Sequence, residues 1–322
     1  MNAVVYDRYG SFDVLSYKQV ADPVPAAGQV LIRAKAAAVH VGDCFAVHGE
    51  PYAMRLQTGL FRPKTGVPGF DVSGVVESVG QSVRTFAPGD EVFGVGNGTC
   101  AELVCADAST LALRPKRLSF AESAVLPTSG LAALHALRDI AKLGRGQRVL
   151  VVGASGGVGL FAVQIAKSLG AEVTGVCSGR NVELVRSIGA DHVIDYTRED
   201  FAKGSARYDL VFDNVENRSV ADCRSVLTAD GMLICNSGTG ATGLRMLVRL
   251  VRPLLLNPFV RHKLRRYLSM PNHADLVQLA ELAERGVLRP VIAQTFPLAQ
   301  TRDALAFVQS GHAAGKVVVQ IA

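Results

Sequence analysis

The chain contains no tryptophan, and its six cysteines form no Cys-x-x-Cys pair and no cysteine–histidine cluster with zinc-finger spacing. The missing clusters exclude a structural zinc finger, because such a site needs four closely spaced ligands. With no tryptophan to stack on bases and no recognisable nucleic-acid-binding motif, we predict no nucleic-acid partner. Scattered cysteines are typical of reduced thiols, so we expect a cytoplasmic protein with no secretory leader before its first strand.

An uninterrupted apolar run long enough to span a bilayer is also missing. The most membrane-like stretch lies within residues 244–268, where six arginines and a lysine alternate with leucine and valine. This pattern fits either a pocket wall or dimer edge with a solvated basic face, or an amphipathic segment that docks on an anionic membrane. Pro253 and Pro258 break any long lipid-facing helix, so peripheral membrane contact through 244–268 is the less favoured hypothesis.

The overall composition is that of a soluble enzyme. The 322 residues are 49% hydrophobic and 19% charged, with a formal net charge of +6. The length favours two domains over one, and the apolar content excludes a disordered chain. A basic balance of this size is compatible with nucleic acid, a membrane surface or an anionic small ligand, and it favours a slightly basic enzyme.

The two halves of the chain differ in their hydrophobic periodicity. Residues 1–122 alternate short β-branched runs with Pro/Gly turns, which predicts an antiparallel, barrel-like domain. A helix is predicted to start at Ser119, the N-cap, with Glu122 three residues later. Strands and helices then alternate, which predicts a parallel, doubly wound sheet. The end of the chain predicts a helix and a strand that returns to the first domain.

A glycine-rich loop joins the first strand of the second half to its helix. The loop reads GASGGVG from Gly153 to Gly159. Glycines let the backbone approach a pyrophosphate, whose charge is favourable at the free N–H groups of a helix N-terminus. The strand–loop–helix context therefore predicts a dinucleotide site. The predicted contacts in the loop are Gly153, Ser155, Gly156, Gly157 and Val158.

No acid stands at the end of the next strand, where an NAD-preferring site places a carboxylate on the ribose hydroxyls. Cys177 is at that position, and Ser178, Arg180 and Asn181 come shortly after it. A hydroxyl and a guanidinium bind a 2′-phosphate, which a carboxylate would repel. We therefore predict NADPH as the cofactor, with these four residues around its phosphate. The other interpretation of Arg180 is a solvent-facing residue at a helix start.

Together these motifs resemble, over nearly the whole chain, the medium-chain dehydrogenase/reductase superfamily, and most of all its zinc-free quinone oxidoreductase branch, which includes zeta-crystallin-like proteins. Besides the glycine loop, the resemblance rests on VPGFDVSGVVESVG, FAPGDEVFG, GADHVIDY, YDLVFDNV and GKVVVQI. It implies an α/β chain with a GroES-like β-rich catalytic domain over 1–122 plus 268–322. It also implies a doubly wound, parallel-sheet Rossmann domain over 123–267, and a homodimer.

The resemblance also implies that the zinc ligands are missing. Phe70 stands where zinc-dependent relatives have the histidine of Gly-His-Glu, and His40 stands where they have a cysteine. The third ligand would fall near Thr128 and Ser129, which are poor ligands. A catalytic zinc needs three protein ligands, so we predict no metal. Without a Lewis acid to polarise an alcohol or a carbonyl, oxidation of a simple alcohol is disfavoured. Reduction of a quinone or an activated C=C bond suits the site better, because these substrates accept hydride directly.

Candidate site residues follow from the same resemblance. The stretch HVGDCFAVHGEPY matches the segment that faces the nicotinamide, where Asp43 fits the family pattern and His40 replaces an asparagine. Tyr52 is a candidate proton donor. The structural alternatives are that His40 and Asp43 only shape the site by hydrogen bonds, and that Tyr52 is a pocket wall. Further cofactor contacts implied by the resemblance are Tyr196, Asn214, Asn236, Ser237 and Lys316.

These features predict an NADPH-dependent, zinc-independent oxidoreductase that transfers hydride to a quinone or to the C=C bond of an enone. A second hypothesis is a zinc-free carbonyl reductase or alcohol dehydrogenase, and a third is a non-catalytic NADPH-binding protein. The predicted partner is a small, lipophilic substrate. The motifs do not name it, because residues at a pocket mouth vary without leaving a pattern.

Overall fold

The computed structural model describes residues 1–50, 52, 55–236 and 260–321. The chain forms two compact units, the first made of Met1–Leu131, Met270–Gly286 and Pro290–Ala322, and the second of Ala132–Ser269 and Val287–Arg289. The sequence placed the domain changes after residues 122 and 267. In the structure the first change falls within a helix that begins at Pro127.

The described strands are β1 Asn2–Val5, β2 Ser16–Gln19, β3 Gln29–Val39, β4 Asp71–Val79, β5 Glu91–Val95, β6 Leu103–Asp107, β7 Leu111–Leu113, β8 Arg148–Val152, β9 Glu172–Cys177, β10 His192–Asp195, β11 Tyr208–Asp213, β12 Leu227–Cys235, β13 Lys263–Arg265, β14 Ile292–Pro297 and β15 Lys316–Gln320. The described α-helices are α1 Val41–His48, α2 Arg55–Thr58, α3 Phe120–Ala124, α4 Pro127–Leu134, α5 Gly157–Ser168, α6 Val182–Ser187, α7 Val220–Ser225, α8 His273–Glu284 and α9 Thr301–Gln309.

In the first unit, seven strands form one sheet with the order β14-β15-β3-β4-β5-β7, and β6 pairs with β3. All of these pairings are antiparallel except that of β14 with β15. β15 lies beside β3, with Val317 opposite Val39, so the predicted return of the chain end to the first domain is confirmed. The apolar positions of β3 to β6, among them Ile32 and Val72, form a buried core.

The second unit contains six parallel strands in the order β10-β9-β8-β11-β12-β13. Such strands are covered on both faces, which is why β8 and β9 are almost continuous apolar runs with buried side chains. Chain order reverses between β8 and β11. At such a switch point the carboxyl ends of the strands open a crevice that binds ligands. The predicted doubly wound sheet is confirmed.

β13 lies inside the basic segment that the sequence assigned to a pocket wall or dimer edge. Lys263 is exposed and Leu264 is buried in the core of the second unit, as expected for an edge strand with period two. A strand was not expected there, because three residues between charges give almost no periodic signal. Residues 244–259 lie outside the described residues. Within the described ranges, no helix is long and apolar enough to cross a membrane.

The helical stretch after residue 118 begins as predicted. Ser119 accepts a hydrogen bond from the Glu122 amide, and the Glu122 carboxylate accepts one from the Ser119 amide, so the capping box is confirmed. The stretch is not one helix, however, since α3 ends at Ala124 and α4 begins at Pro127. Proline is favourable at the first position of a helix, where its missing N–H costs nothing, and unfavourable further in.

All six cysteines are free.

The glycine loop packs too tightly to accept a side chain at its last position. A Cβ on Gly159 would lie 2.1 Å from the carbonyl oxygen of Gly153 and 2.8 Å from the Cα of Ala154. We expect Gly159→Ala to lower the free energy of unfolding by about 1–3 kcal/mol, measured by urea denaturation. The matched control is Gly144→Ala, whose Cβ meets only the Gln147 side chain at 3.6 Å. Equal losses in the two variants would contradict the prediction.

Candidate active site

The glycine loop leaves the N-terminus of α5 open to an anion. Gly153 directly follows β8 with φ +75°, a left-handed conformation that glycine adopts without strain. Gly156 is the N-cap of α5, and within the described part of the chain it makes no side-chain cap hydrogen bond to the N–H groups of the first helical turn. These features fit the pyrophosphate of a dinucleotide.

The loop is tied to the end of β9. The Asn181 side-chain amide donates to Ser155 Oγ at 3.0 Å, which joins two of the predicted cofactor contacts. Cys177 is only 2% exposed, and burial raises the pKa of its thiol to about 11. A buried, protonated thiol contributes no charge at the end of this strand. The exposed groups there belong to the turn that follows it. Ser178 is the N-cap of that turn, and Arg180 is exposed.

An acid does lie beside this turn, and it is not among the residues predicted from the sequence. Asp195 ends β10 and is in register with Cys177 of β9. Its carboxylate accepts hydrogen bonds from the Thr197 amide at 3.0 Å, from the Thr197 hydroxyl at 2.8 Å and from the Gly179 amide, and these bonds lower its pKa. The signal was available, because parallel strands end at the same edge of a sheet. Tyr196 follows with an exposed ring.

Two asparagines meet at the switch point. Asn214 donates to the carbonyl oxygen of Val152 at 3.2 Å, and Asn236 donates to Asn214 Oδ1 at 2.8 Å. The structure therefore joins the ends of β8, β11 and β12 through the side chains that the sequence assigned to the cofactor. Ser237, assigned with them, lies outside the described residues.

Glu216 lies two residues after Asn214, and its backbone has an unusual conformation for a residue with a side chain. Its φ of +55° lies in the left-handed region, where a side chain is normally unfavourable. The Glu216 carboxylate pairs with Arg266 at 2.6 Å, and both side chains are largely buried. A charge-assisted hydrogen bond of this kind offsets the backbone strain. The sequence alone did not indicate this pair, since 49 residues separate its members along the chain.

In the first unit, His40 and Asp43 begin α1 as a reciprocal cap. The His40 amide donates to Asp43 Oδ2 at 2.7 Å, and the Gly42 amide donates to His40 Nδ1 at 3.0 Å. The imidazole stacks on Phe70 with ring centroids 5.9 Å apart. The structural alternative for His40 and Asp43 therefore accounts for their backbone contacts. It leaves His40 Nε2 and Asp43 Oδ1 without a hydrogen-bond partner in the described part of the chain.

A buried ion pair lies in the same cluster. Lys316 Nζ is 3.5 Å from Asp71 Oδ2, and the two side chains are 3% and 0% exposed. Asp71 Oδ1 accepts hydrogen bonds from the amide of Thr128, at 3.1 Å, and from its hydroxyl. The sequence assigned Lys316 to the cofactor and gave no role to Asp71, because the pair forms only when β15 returns beside β3, the strand that also pairs with β4.

Burial sets the protonation states of this cluster. Burial, with the charge of Asp71, raises the pKa of Asp43 to about 8, although the bond from the His40 amide opposes the shift. Burial also raises the pKa of Asp71, against Lys316 and Thr128. Burial and the Lys316 cation hold the pKa of His40 well below its ordinary value. At neutral pH the imidazole is therefore uncharged and Asp43 carries a proton.

Tyr52 is placed differently from the other candidates. Its side chain is 67% exposed, and its ring lies 4.8 Å from the Arg55 guanidinium, which also lies 4.5 Å from the ring of Tyr9. Among the described contacts, none joins Tyr52 to the buried cluster. The structure thus brings His40, Asp43 and Lys316 together. The role of Tyr52 as a proton donor, which the family resemblance implied, stays a prediction.

These residues do not fit a zinc ion. Phe70 offers a ring and no ligand atom, Asp71 is occupied by Thr128 and Lys316, and the ammonium would repel a metal cation. Over the described ranges, no group of three or more His, Cys, Asp or Glu side chains has a geometry that could hold a metal. No catalytic step is therefore assigned to a metal.

The raised pKa of Asp43 predicts how stability depends on pH. The folded protein binds this proton more tightly than the unfolded chain, so the stabilisation is complete below the ordinary value of 3.8 and is lost as pH rises toward about 8. The Asp43→Asn side chain keeps an oxygen that accepts from the His40 amide, but it has no carboxyl group that can gain or lose a proton. We expect the variant to gain stability relative to wild type between about pH 5 and pH 8, measured as the difference in unfolding midpoint. A constant difference would contradict the shift.

Comparisons with known proteins agree with this architecture. A model of the alcohol dehydrogenase GroES-like domain matches residues 26–136, and one described as a zinc-binding dehydrogenase matches residues 188–319. A chloroplast envelope quinone oxidoreductase homolog from Arabidopsis thaliana is 32% identical over 340 residues, covering 99% of this chain and 98% of that protein.

Two further comparisons extend the likeness. An NADPH-dependent alkenal/one oxidoreductase from the chloroplast of Arabidopsis thaliana is 32% identical over 341 residues, covering 99% of this chain and 79% of that protein. The solved structure of the quinone oxidoreductase from Coxiella burnetii matches with a TM-score of 0.85 and 29% identity, covering 100% of this chain and 99% of that one. The chain therefore belongs to the medium-chain dehydrogenase/reductase superfamily of nicotinamide-dependent oxidoreductases, in its zinc-free quinone oxidoreductase branch.

Proposed function

We propose that this protein is an NADPH-dependent reductase that transfers hydride to a quinone or to the C=C bond of an enone. The observation that carries the proposal is the buried cluster of His40, Asp43, Asp71 and Lys316, which offers neutral hydrogen-bond donors and no metal site. Such donors suit an acceptor that takes hydride directly and gathers negative charge on an oxygen. The names of the Arabidopsis thaliana relatives support the same substrate classes.

Some of these residues bind the cofactor, and others supply hydrogen-bond donors or a proton to the acceptor. When bound, NADPH supplies the hydride from its nicotinamide ring. The uncapped N-terminus of α5 binds the pyrophosphate, and the Asn181–Ser155 bond holds the loop against the end of β9. Asp43 holds a proton near neutral pH, and the product needs one proton after hydride transfer. In this role the Asp43 carboxyl, in the first unit, holds the proton that the product takes up.

The proposed preference for NADPH over NADH rests on side chains of the turn after β9. Arg180 is exposed there, and Ser178 offers a hydroxyl, so both can reach a 2′-phosphate. Asp195 is the neighbouring acid, and its oxygens are directed to Thr197 and Gly179 by hydrogen bonds. Arg198 lies near enough to offset its charge. The turn therefore keeps a cationic group for the phosphate despite the acid.

Arg180→Ala tests this preference. Loss of a charge-assisted hydrogen bond costs about 1.5–3 kcal/mol, so we expect NADPH affinity to fall roughly 10- to 100-fold and NADH affinity to change less than threefold. The matched control is Arg186→Ala, an arginine on α6 that pairs with Glu183 at 2.8 Å. Binding is measured by nucleotide fluorescence. Equal losses for both nucleotides in Arg180→Ala would refute a 2′-phosphate contact.

The reaction class is tested by cofactor oxidation with a chelator present. The acceptors are an aromatic quinone, an alkyl enone and a simple aldehyde, each with NADPH and with NADH. We expect NADPH-dependent turnover of the quinone or the enone, unchanged by the chelator, because no metal takes part. Turnover of the aldehyde alone would make the protein a carbonyl reductase. Tight NADPH binding with no turnover of any acceptor would favour a non-catalytic NADPH-binding protein.

A further inference from the structure

The hydrogen bonds of His40 define its tautomer. Nδ1 accepts the Gly42 amide at 3.0 Å, so this nitrogen carries no proton. A neutral imidazole has one ring proton, which must then lie on Nε2. An imidazolium would need a proton on Nδ1, where it would meet the Gly42 N–H, and the pKa of the ring is already held low by burial and by Lys316.

The charged groups around the ring reinforce the neutral form. Asp43 belongs to the same helix and is itself protonated near neutral pH, Asp71 comes from β4, and Lys316 comes from β15. Phe70 covers a face of the ring. Asp71 is already paired with Lys316, so no uncompensated carboxylate remains in this set to favour an imidazolium.

The Nε2–H has no acceptor in the described chain, although the atom is withdrawn from solvent. A buried donor without an acceptor is energetically unfavourable, so buried polar groups of native proteins are almost always paired. The His40 side chain as a whole remains 19% exposed, through atoms other than Nε2. We therefore infer that a bound ligand supplies the hydrogen-bond acceptor for Nε2–H.

We propose that His40 donates its Nε2–H to the carbonyl oxygen of the hydride acceptor. This inference rests on the proposed reductase function and assigns a role to the residue that departs from the family's asparagine. When hydride reaches a quinone or the β-carbon of an enone, negative charge develops on that oxygen. A donor already fixed by Gly42 and Phe70 stabilises this charge without reorganisation. The proton stays on Nε2, so His40 is a hydrogen-bond donor and not the source of the product's proton.

The kinetic test compares variants of two histidines on one helix. His40→Ala removes the donor, and we expect kcat for an alkyl enone to fall about 100- to 1,000-fold while the Kd of NADPH stays within about twofold. His40→Gln keeps an N–H group and should recover part of kcat. His48→Gln is the control, because both ring nitrogens of His48 already have partners, Gly10 and Gln309. We expect its kcat to match wild type.

Two kinetic outcomes would overturn the proposal. An NADPH Kd that rises as much as kcat falls would show that the Nε2–H binds the cofactor's carboxamide oxygen instead. Wild-type kcat in a folded His40→Ala would show that the donor is not used. Failure of wild type with every quinone and enone would refute the proposed function itself, so the two failures are distinguishable.

Nuclear magnetic resonance of ring-¹⁵N-labelled histidine reads the tautomer without turnover. The His40 signals are assigned by their absence in His40→Gln. We expect a neutral ring with the proton on Nε2 between about pH 5 and pH 8. Addition of NADP⁺ should leave the Nε2–H resonance in place, and further addition of the saturated ketone product should shift it. A proton on Nδ1, or a shift with NADP⁺ alone, would overturn the assignment.

Discussion

The ammonium of Lys316 lies inside the first unit, 3.5 Å from a carboxylate oxygen of Asp71, and the state of the surrounding groups depends on it. Burying either ion alone costs several kcal/mol, and their attraction compensates only when the remaining oxygen is also satisfied. The amide and the hydroxyl of Thr128 donate hydrogen bonds to that remaining oxygen, Asp71 Oδ1. The cation then disfavours a second positive charge on His40, while the carboxylate disfavours a second negative charge on Asp43.

A neutral site follows from this arrangement. The pair cancels its own charge, and the two groups beside it remain uncharged near neutral pH because burial penalises their ionised forms. In the proposed reaction, such a site would favour an uncharged, lipophilic acceptor whose oxygen becomes anionic only during hydride transfer. Hydrogen-bond donors in a low-dielectric interior act most strongly on charge of that kind. The basic character of the whole chain is thus a poor guide to its site.

The second unit relies on a different constraint, the common edge at which parallel strands end. β8, β9, β10, β11 and β12 all end at one edge of the sheet, so short stretches far apart in sequence become neighbours there. Asn214 meets Asn236, Asn181 meets Ser155, and Asp195 lies beside the turn after Cys177. The N-terminus of α5 at the glycine loop lies at this edge and fits an anion.

Local patterns by themselves determined the fold class, the capping box at Ser119 and the glycine loop, because each depends on residues close in sequence or on a distinctive motif. The family resemblance implied the return of the last strand to the first domain. The tertiary structure decided the Asp71–Lys316 pair, the Glu216–Arg266 pair, the position of Asp195 and the edge strand β13. Pairing across a sheet joins residues that no local periodicity connects. Burial, which sets the protonation of His40 and Asp43, is a property of the packed chain alone.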